Sequence, residues 1–369
     1  MSVNFEELGK RYDGFRHPFL TVSIDGAEDT SPDVFIRGVE LTLTCGYEAG
    51  ACTFELTGKG NGFLDNKLTL DPAVQKYLKL GAKLEVATGY TDGEHCQSVF
   101  TGCVTAVTLT MEGARVFHVI EAMDCKALMM NNLCSEIKEG LKKDSEAVVN
   151  VLKAYGSAAP EPEVGETVER SGPIGRYAQS DYDFLVELAR RNNFLFFVDR
   201  GKVRFIPYSA VKEVGVVLTP GSHLFRLERT VSLTGQVKTV TVRGAGQPDP
   251  ETPVAATAAG ADPVGGGGKT AAEVCSLVGD TAAVTLIDGS VGTEAEAKAG
   301  AEAAWQRAGV GFVAGSFETV GVPELLPGTL VTLADFDGGV NGDYLITEAV
   351  HKLDVGNYRT VCQFRRSRD

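Results

Sequence analysis

The chain has 369 residues, with 49 acidic side chains against 35 basic ones, a formal net charge of −14, and 43 glycines. At roughly 150 residues per domain, this length allows two or three domains with real cores, and a hydrophobic content of 43% argues against disorder throughout. No apolar run approaches the roughly 18 residues needed to span a bilayer. The acidic excess, without a concentrated Lys/Arg run, argues against nucleic acid as the main ligand.

The N-terminal stretch MSVNFEELGKRYDGFRHPF lacks the basic segment and apolar core of a signal peptide. The eight cysteines (45, 52, 96, 103, 125, 134, 275, 362) contain no C-x-x-C pair, so metal-ligand spacing is absent. Cys96 and Cys103 share one predicted strand at about 23 Å and cannot bridge there. Cys45 and Cys52 are placed to face each other across a hairpin, but a cytoplasmic origin favours free, half-buried thiols.

From Phe19 to Met123 the pattern has mostly period two. Val39, Leu41, Leu43 and Cys45 alternate with Glu40, Thr42 and Thr44, and Phe54 and Leu56 alternate with Thr53, Glu55 and Thr57. With 19–25, 84–90, 99–110 and 116–122, separated by turns such as Thr91-Asp92-Gly93, this predicts about six strands. A helix over 72–80, burying Val74, Tyr77 and Leu78, interrupts them. The spacing fits a small antiparallel barrel or sandwich.

Between 133 and 210 the period becomes 3.6. Ser145 is the expected cap of a helix running to Tyr155 and stopped by Gly156. Ser180-x-x-Asp183 opens another that buries Phe184, Leu185, Leu188 and Ala189. A hairpin over 194–198 and 203–206 follows, turning at Asp199-Arg200-Gly201. Strands resume at 216–218, 224–232 and 237–243. Residues 246–270, with Pro248, Pro250, Pro253 and a run of glycines, read as a flexible excursion. Its GGGGKT segment is not a phosphate-binding loop, because Pro263 stands where the first glycine is required. Thr293-x-x-Glu296 opens an Ala-rich helix to about Arg307 carrying Trp305, and strands at 329–334, 343–350 and 358–365 close the chain.

Gly81 to Val86 and Gly328 to Leu333 share a glycine followed by apolar residues at +3 and +5, and each opens a similar series of strands. Three strands and a helix precede each, the helix at 72–80 in one half and 294–307 in the other. The expected fold is β-rich α+β: two related antiparallel, tail-tube-like β-barrels with an inserted α+β domain. The boundaries are 1–132 for the first barrel, 133–212 for the insert, 213–245 with 310–369 for the second barrel, and 246–309 for the excursion and helix. Two similar barrels per chain let a trimer present six near-equivalent units, which suits an adaptor between three-fold and six-fold assemblies.

Several fragments, in order, resemble the baseplate hub proteins of contractile phage tails and injection systems, the phage late-control protein D and VgrG hub family. They are Gln179-Ser180-Asp181-Tyr182-Asp183-Phe184-Leu185 through Leu188-Ala189 and Asn193-Phe194 to the 199–205 hairpin, then Phe100-Thr101-Gly102-Cys103-Val104. Near the end come Pro323 to Gly328, Gly342 to Thr347 and His351. The resemblance implies a homotrimeric torus of six barrels joined to a hexameric tail tube or tube-initiator protein, with other baseplate and LysM-type adaptor proteins alongside. It also implies a separate spike protein, since VgrG continues into a fused spike and this chain stops at Asp369. Assembly in the bacterial cytoplasm into a tail, with no membrane in the assembled state and DNA or cargo passing a lumen without specific binding, belongs to the same expectation.

No catalytic, cofactor-binding or metal residues are assigned. His351 has no oriented base or nucleophile in sequence, and His17, His95, His118 and His223 form no H-E-x-x-H pair. Asp181 and Asp183 sit in a helix's first turn, where negative charge offsets the dipole. That reading competes with a glycosidase-like carboxylate pair. Trp305 shares a face with Ala301 and Ala304, which suits a packing anchor better than a sugar platform. A tail-associated cell-wall hydrolase and a carbohydrate- or receptor-binding β module are the alternatives to a structural hub.

Overall fold

The computed structural model describes residues 3–28, 33–64, 67–91, 93, 95–221, 223–246, 251–260, 264, 268–275 and 282–369. Twelve strands of its largest sheet form two series. The first comprises β1 (Pro18–Ile24), β2 (Val34–Thr44), β3 (Ala51–Gly58), β4 (Lys83–Tyr90), β5 (Gln97–Glu112) and β6 (Arg115–Met123). The second comprises β7 (Val214–Leu218), β8 (Leu224–Val231), β9 (Val313–Val320), β10 (Leu330–Leu333), β11 (Gly342–Asp354) and β12 (Asn357–Arg366). Both series hydrogen-bond in the order first, fourth, fifth, sixth, third, second. One step differs: β1 lies antiparallel to β4, whereas β7 lies parallel to β10.

The period-two pattern produces these strands because alternate side chains point to opposite faces. Val39, Leu41 and Leu43 are buried in a core that also takes Phe54, Leu84 and Ile120 from the first series and Phe317, Val331, Ile346 and Phe364 from the second. The series join edge to edge. Along the antiparallel pair β2 and β11, Val39 stands opposite Leu353, Leu41 opposite His351 and Leu43 opposite Ala349.

The third strand of the second series is β9, not the expected 237–243. Thr239–Gly244 belongs instead to a separate three-stranded sheet, between Val254–Ala258 and Ala283–Ile287. With the helix Glu294–Val310, that sheet encloses its own core of Val240, Val242, Ala258, Val291, Ala297, Ala301 and Trp305. The 246–309 stretch is therefore not simply a flexible excursion. Its strand 254–258 is built of Val, Ala and Thr, whose short side chains read as low complexity in sequence. Pro248, Pro250, Pro263 and Gly265 to Gly267 lie outside the described residues, as does Asp92 of the predicted 91–93 turn.

The predicted helices of the repeat are also not equivalent. Pro72–Leu78 is 3-10 in form and lies between third and fourth strands, whereas Glu294–Val310 lies between second and third. The Asp71 side chain caps the first turn of Pro72–Leu78, accepting from the Ala73 amide at 2.9 Å.

Residues between the series build two further small sheets and, beside the short helix Lys126–Met129, the longer helices α1 (Asp144–Leu152) and α2 (Asp181–Asn192), around a core of Val148, Leu152, Phe184, Leu188, Phe196 and Phe205. Helix α1 starts one residue before the expected cap. Ser145 lies inside it, its amide donating to Thr167 Oγ1 at 3.0 Å, and the capping position falls to Lys143.

Candidate functional site

The best-built polar cluster lies where the two series meet. His351 on β11 is fully buried, with Nε2 3.2 Å from the Leu325 carbonyl and Nδ1 2.9 Å from the Tyr358 hydroxyl. A carbonyl only accepts, so Nε2 carries the proton and Nδ1 accepts. The Tyr358 hydroxyl is also 2.9 Å from Thr88 Oγ1 on β4, which links the last strand pair of the second series to the first. Tyr90, two residues along, donates to the Gly321 carbonyl at 2.7 Å. Burial pushes His351 down to about 4 and raises the Tyr358 and Tyr90 phenols. The cluster is thus neutral at physiological pH.

Gly321 is required there by close approach, since a Cβ would stand 1.9 Å from the Tyr358 ring. Nearby, Glu324 Oε1 accepts from Tyr12 Oη and Arg11 at 2.8 Å and from Gln97 at 2.9 Å, bringing the N-terminal helix Phe5–Arg11 to the same seam.

A second cluster ties the first series to the domain between the series. Lys126 is fully buried, and its Nζ donates to the carbonyls of Gly46, Tyr47 and Glu48 at 3.3, 3.2 and 2.6 Å, with the Phe196 ring centroid at 5.0 Å. Asp124 accepts from the Gly50 amide at 2.7 Å and the Lys126 amide at 2.9 Å. The pair therefore clamps the β2–β3 turn. Burial pushes the Lys126 ammonium down and the Asp124 carboxyl up, each opposed by the other's charge.

The Gln179–Leu185 segment supplies anchors. Ser180 Oγ caps α2 by accepting from the Asp183 amide at 2.9 Å. Asp181 is buried, pairs with Arg176, and accepts from Tyr155 at 2.5 Å and Asn132 at 2.6 Å. Burial raises its pKa, but the hydrogen bonds from Tyr155, Arg176 and Asn132 prevail and hold it below the ordinary carboxylate value. Tyr182 Oη donates to the Tyr47 carbonyl at 3.0 Å, reaching the turn that Lys126 holds. Asp183 instead accepts from Ser180 Oγ, so the two carboxylates serve separate networks.

The other singled-out residues are dispersed. Trp305 is buried and its Nε1 donates to the Lys238 carbonyl at 3.2 Å. His223 stacks on Phe5, His118 is buried in β6, and His17 and His95 are exposed. Among the described residues no group of three or more His, Cys, Asp or Glu is placed to hold a metal. Among the described residues seven cysteines are free, and Cys45 Sγ lies 3.5 Å from the Ile346 carbonyl rather than opposite Cys52. No described helix is long and apolar enough to cross a membrane.

The segment between the series and the 239–310 unit dock through Glu296, which accepts from the Ser171 amide and hydroxyl at 3.0 and 2.6 Å and lies 3.4 Å from Arg170. Thr88, Tyr90, Gly321 and Tyr358 escape a reading by motif. One signal was present: 51–58 reads ACTFELTG and 314–321 reads AGSFETVG, which pairs β3 with β9 and Gly58 with Gly321.

A chain of two like strand series joined at a seam has the fold of phage tail proteins. The 43 kDa tail protein of prophage MuSo2 from Shewanella oneidensis is similar over 95% of this chain and 98% of its own, at 17% identity and a TM-score of 0.66. A tail protein from Neisseria meningitidis MC58 is similar over 95% and 97%, at 12% identity and 0.64. An E. coli component of the type VI secretion system, described as structurally similar to the T4 tail proteins gp27 and gp5, is similar over 94% and 76%, at 12% identity and 0.54. By sequence, residues 67–354 match the family described as Alg8 N-terminal domain, and the chain belongs to that family. No curated protein matches the sequence.

Proposed function

We propose that the chain is a structural, non-enzymatic baseplate hub: a homotrimeric ring of six barrel-like units that adapts a hexameric tail tube to a trimeric spike. The observation that carries the reading is the duplicated strand order within one chain, because three copies then present six related units. The fold shared with phage tail proteins supports it. In this reading residues 1–132 form one unit, the second unit is built from β7 to β12, and the segments 133–212 and 232–312 brace the ring. A spike, a tube or tube-initiator protein and LysM-type adaptors are its partners. Part of the −14 charge faces the lumen, where repulsion keeps DNA or cargo from sticking.

Mass measurement of the full chain co-expressed with a spike protein from the same genome tests the proposal. Three hub chains per complex are expected. A complex with one hub chain, or a chain that releases peptidoglycan fragments, overturns it.

A further inference from the structure

The closing hairpins and the second and third strands of the two series correspond residue by residue, and that correspondence exposes an unfilled joint. In the β5–β6 hairpin the ladder runs from Glu112 opposite Arg115 back to Ala106 opposite Glu121, then skips Thr105. In the β11–β12 hairpin it runs from Asp354 opposite Asn357 back to Glu348 opposite Gln363, then skips Thr347. Each skipped threonine donates its hydroxyl to the matching carbonyl, Thr105 to Glu121 at 3.2 Å and Thr347 to Gln363 at 3.3 Å. Leu109 therefore corresponds to His351, and Met111 to Leu353.

The second strands align through their shared neighbours. Glu121 faces Thr53 and Gln363 faces Ser316, while Thr53 faces Glu40 and Ser316 faces Glu228. Thus Val39-Glu40-Leu41-Thr42-Leu43 corresponds to Leu227-Glu228-Arg229-Thr230-Val231.

Within the chain, the second strand of the first series pairs with the fifth strand of the second. The complementary halves are left over: among described residues β8 pairs only with β9, and β5 beyond Val104 pairs only with β6. Positions that the filled joint buries are open in the unfilled one. His351 and Leu353 are 0% and 6% exposed, whereas Leu109 and Met111 are 48% and 55% exposed. Leu43 is 7% exposed and its counterpart Val231 43%. Apolar side chains on an unpaired strand edge invite another strand.

We infer that β8 of one copy pairs antiparallel with β5 of a second copy of this chain, in the register of the joint already present within each chain. Val107 then faces Val231, Thr108 faces Thr230, Leu109 faces Arg229, Thr110 faces Glu228 and Met111 faces Leu227. Each copy offers one half of the joint at either end, so the contact is head-to-tail and propagates until it closes. The inference rests on the ring reading above, and supplies its subunit contact.

The test is oxidation of the full chain carrying Thr108→Cys and Thr230→Cys, a pair that the proposed register brings within disulfide reach. Covalent two- and three-chain species are expected, absent from the unsubstituted chain and from either single variant. Leu109→Asp with Met111→Asp, both at exposed positions, is expected to weaken assembly at least tenfold while leaving the circular dichroism spectrum unchanged. If native mass shows three chains but the double-cysteine variant links no more than its singles, the joint is wrong and the ring stands. A chain that stays single both alone and in purified tails overturns both.

Discussion

Tyr358 and Thr88, 270 residues apart in sequence, share a buried 2.9 Å hydrogen bond that fastens the closing hairpin of the second strand series to the fourth strand of the first. The same hydroxyl meets His351, so the seam depends on an imidazole that stays neutral.

That dependence predicts acid sensitivity. The folded-state value near 4 lies below the roughly 6.5 of an unfolded histidine. Between those values the unfolded chain binds the extra proton. Stability from this group is complete above about pH 6.5 and is lost as the pH falls toward 4, up to about 3 kcal/mol. Denaturant midpoints across pH 7 to 4 check this. His351→Gln should flatten the slope, and an unchanged slope would assign the acid response elsewhere.

Gly321→Ala should destabilise by about 2–3 kcal/mol, because its Cβ would overlap the Tyr358 ring and force the seam apart. Gly58→Ala, at the corresponding position, should behave alike, with Asp71 Cβ at 2.3 Å. Gly62→Ala meets no atom within 4 Å and should shift the thermal midpoint little.

Replacing Lys126 by Met strands three half-buried carbonyls and leaves the buried Asp124 without its opposite charge, so a loss of about 3–5 kcal/mol is expected. Asp124→Asn combined with it should cost less than the sum of the single changes, since the residues share one buried network. Additive losses in a double-mutant cycle would show that the two act independently.

Ser180→Ala removes the hydroxyl that caps α2 and should cost about 1 kcal/mol. Asp181→Asn should cost more, because it weakens a buried ion pair with Arg176 while Tyr155 and Asn132 stay committed to the same site. Chemical denaturation of the two variants ranks them.

Alternation made strands such as β2, β3 and β6 legible, and Ser180-x-x-Asp183 marked its helix start correctly, because each signal is local. The third strand of the second series was not legible from spacing. Val237 to Arg243 alternates as well as Val313 to Val320 does, and only pairing decides which joins the large sheet. Lys126 escaped because one lysine in an apolar stretch shows its value only through the turn carbonyls it meets. The histidine of the seam was noticed, but Thr88 and Tyr358 are ordinary strand residues until the fold brings them together.

The interruption of the second series has a consequence for rhythm. The first series passes from its second to its third strand through the short connection at 45–50, whereas the second carries the whole 239–310 unit at that point. In a closed circle of such chains, plain and laden staves would alternate. One rim would then beat in sixes while the outward projections beat in threes, and a single polypeptide would keep both measures.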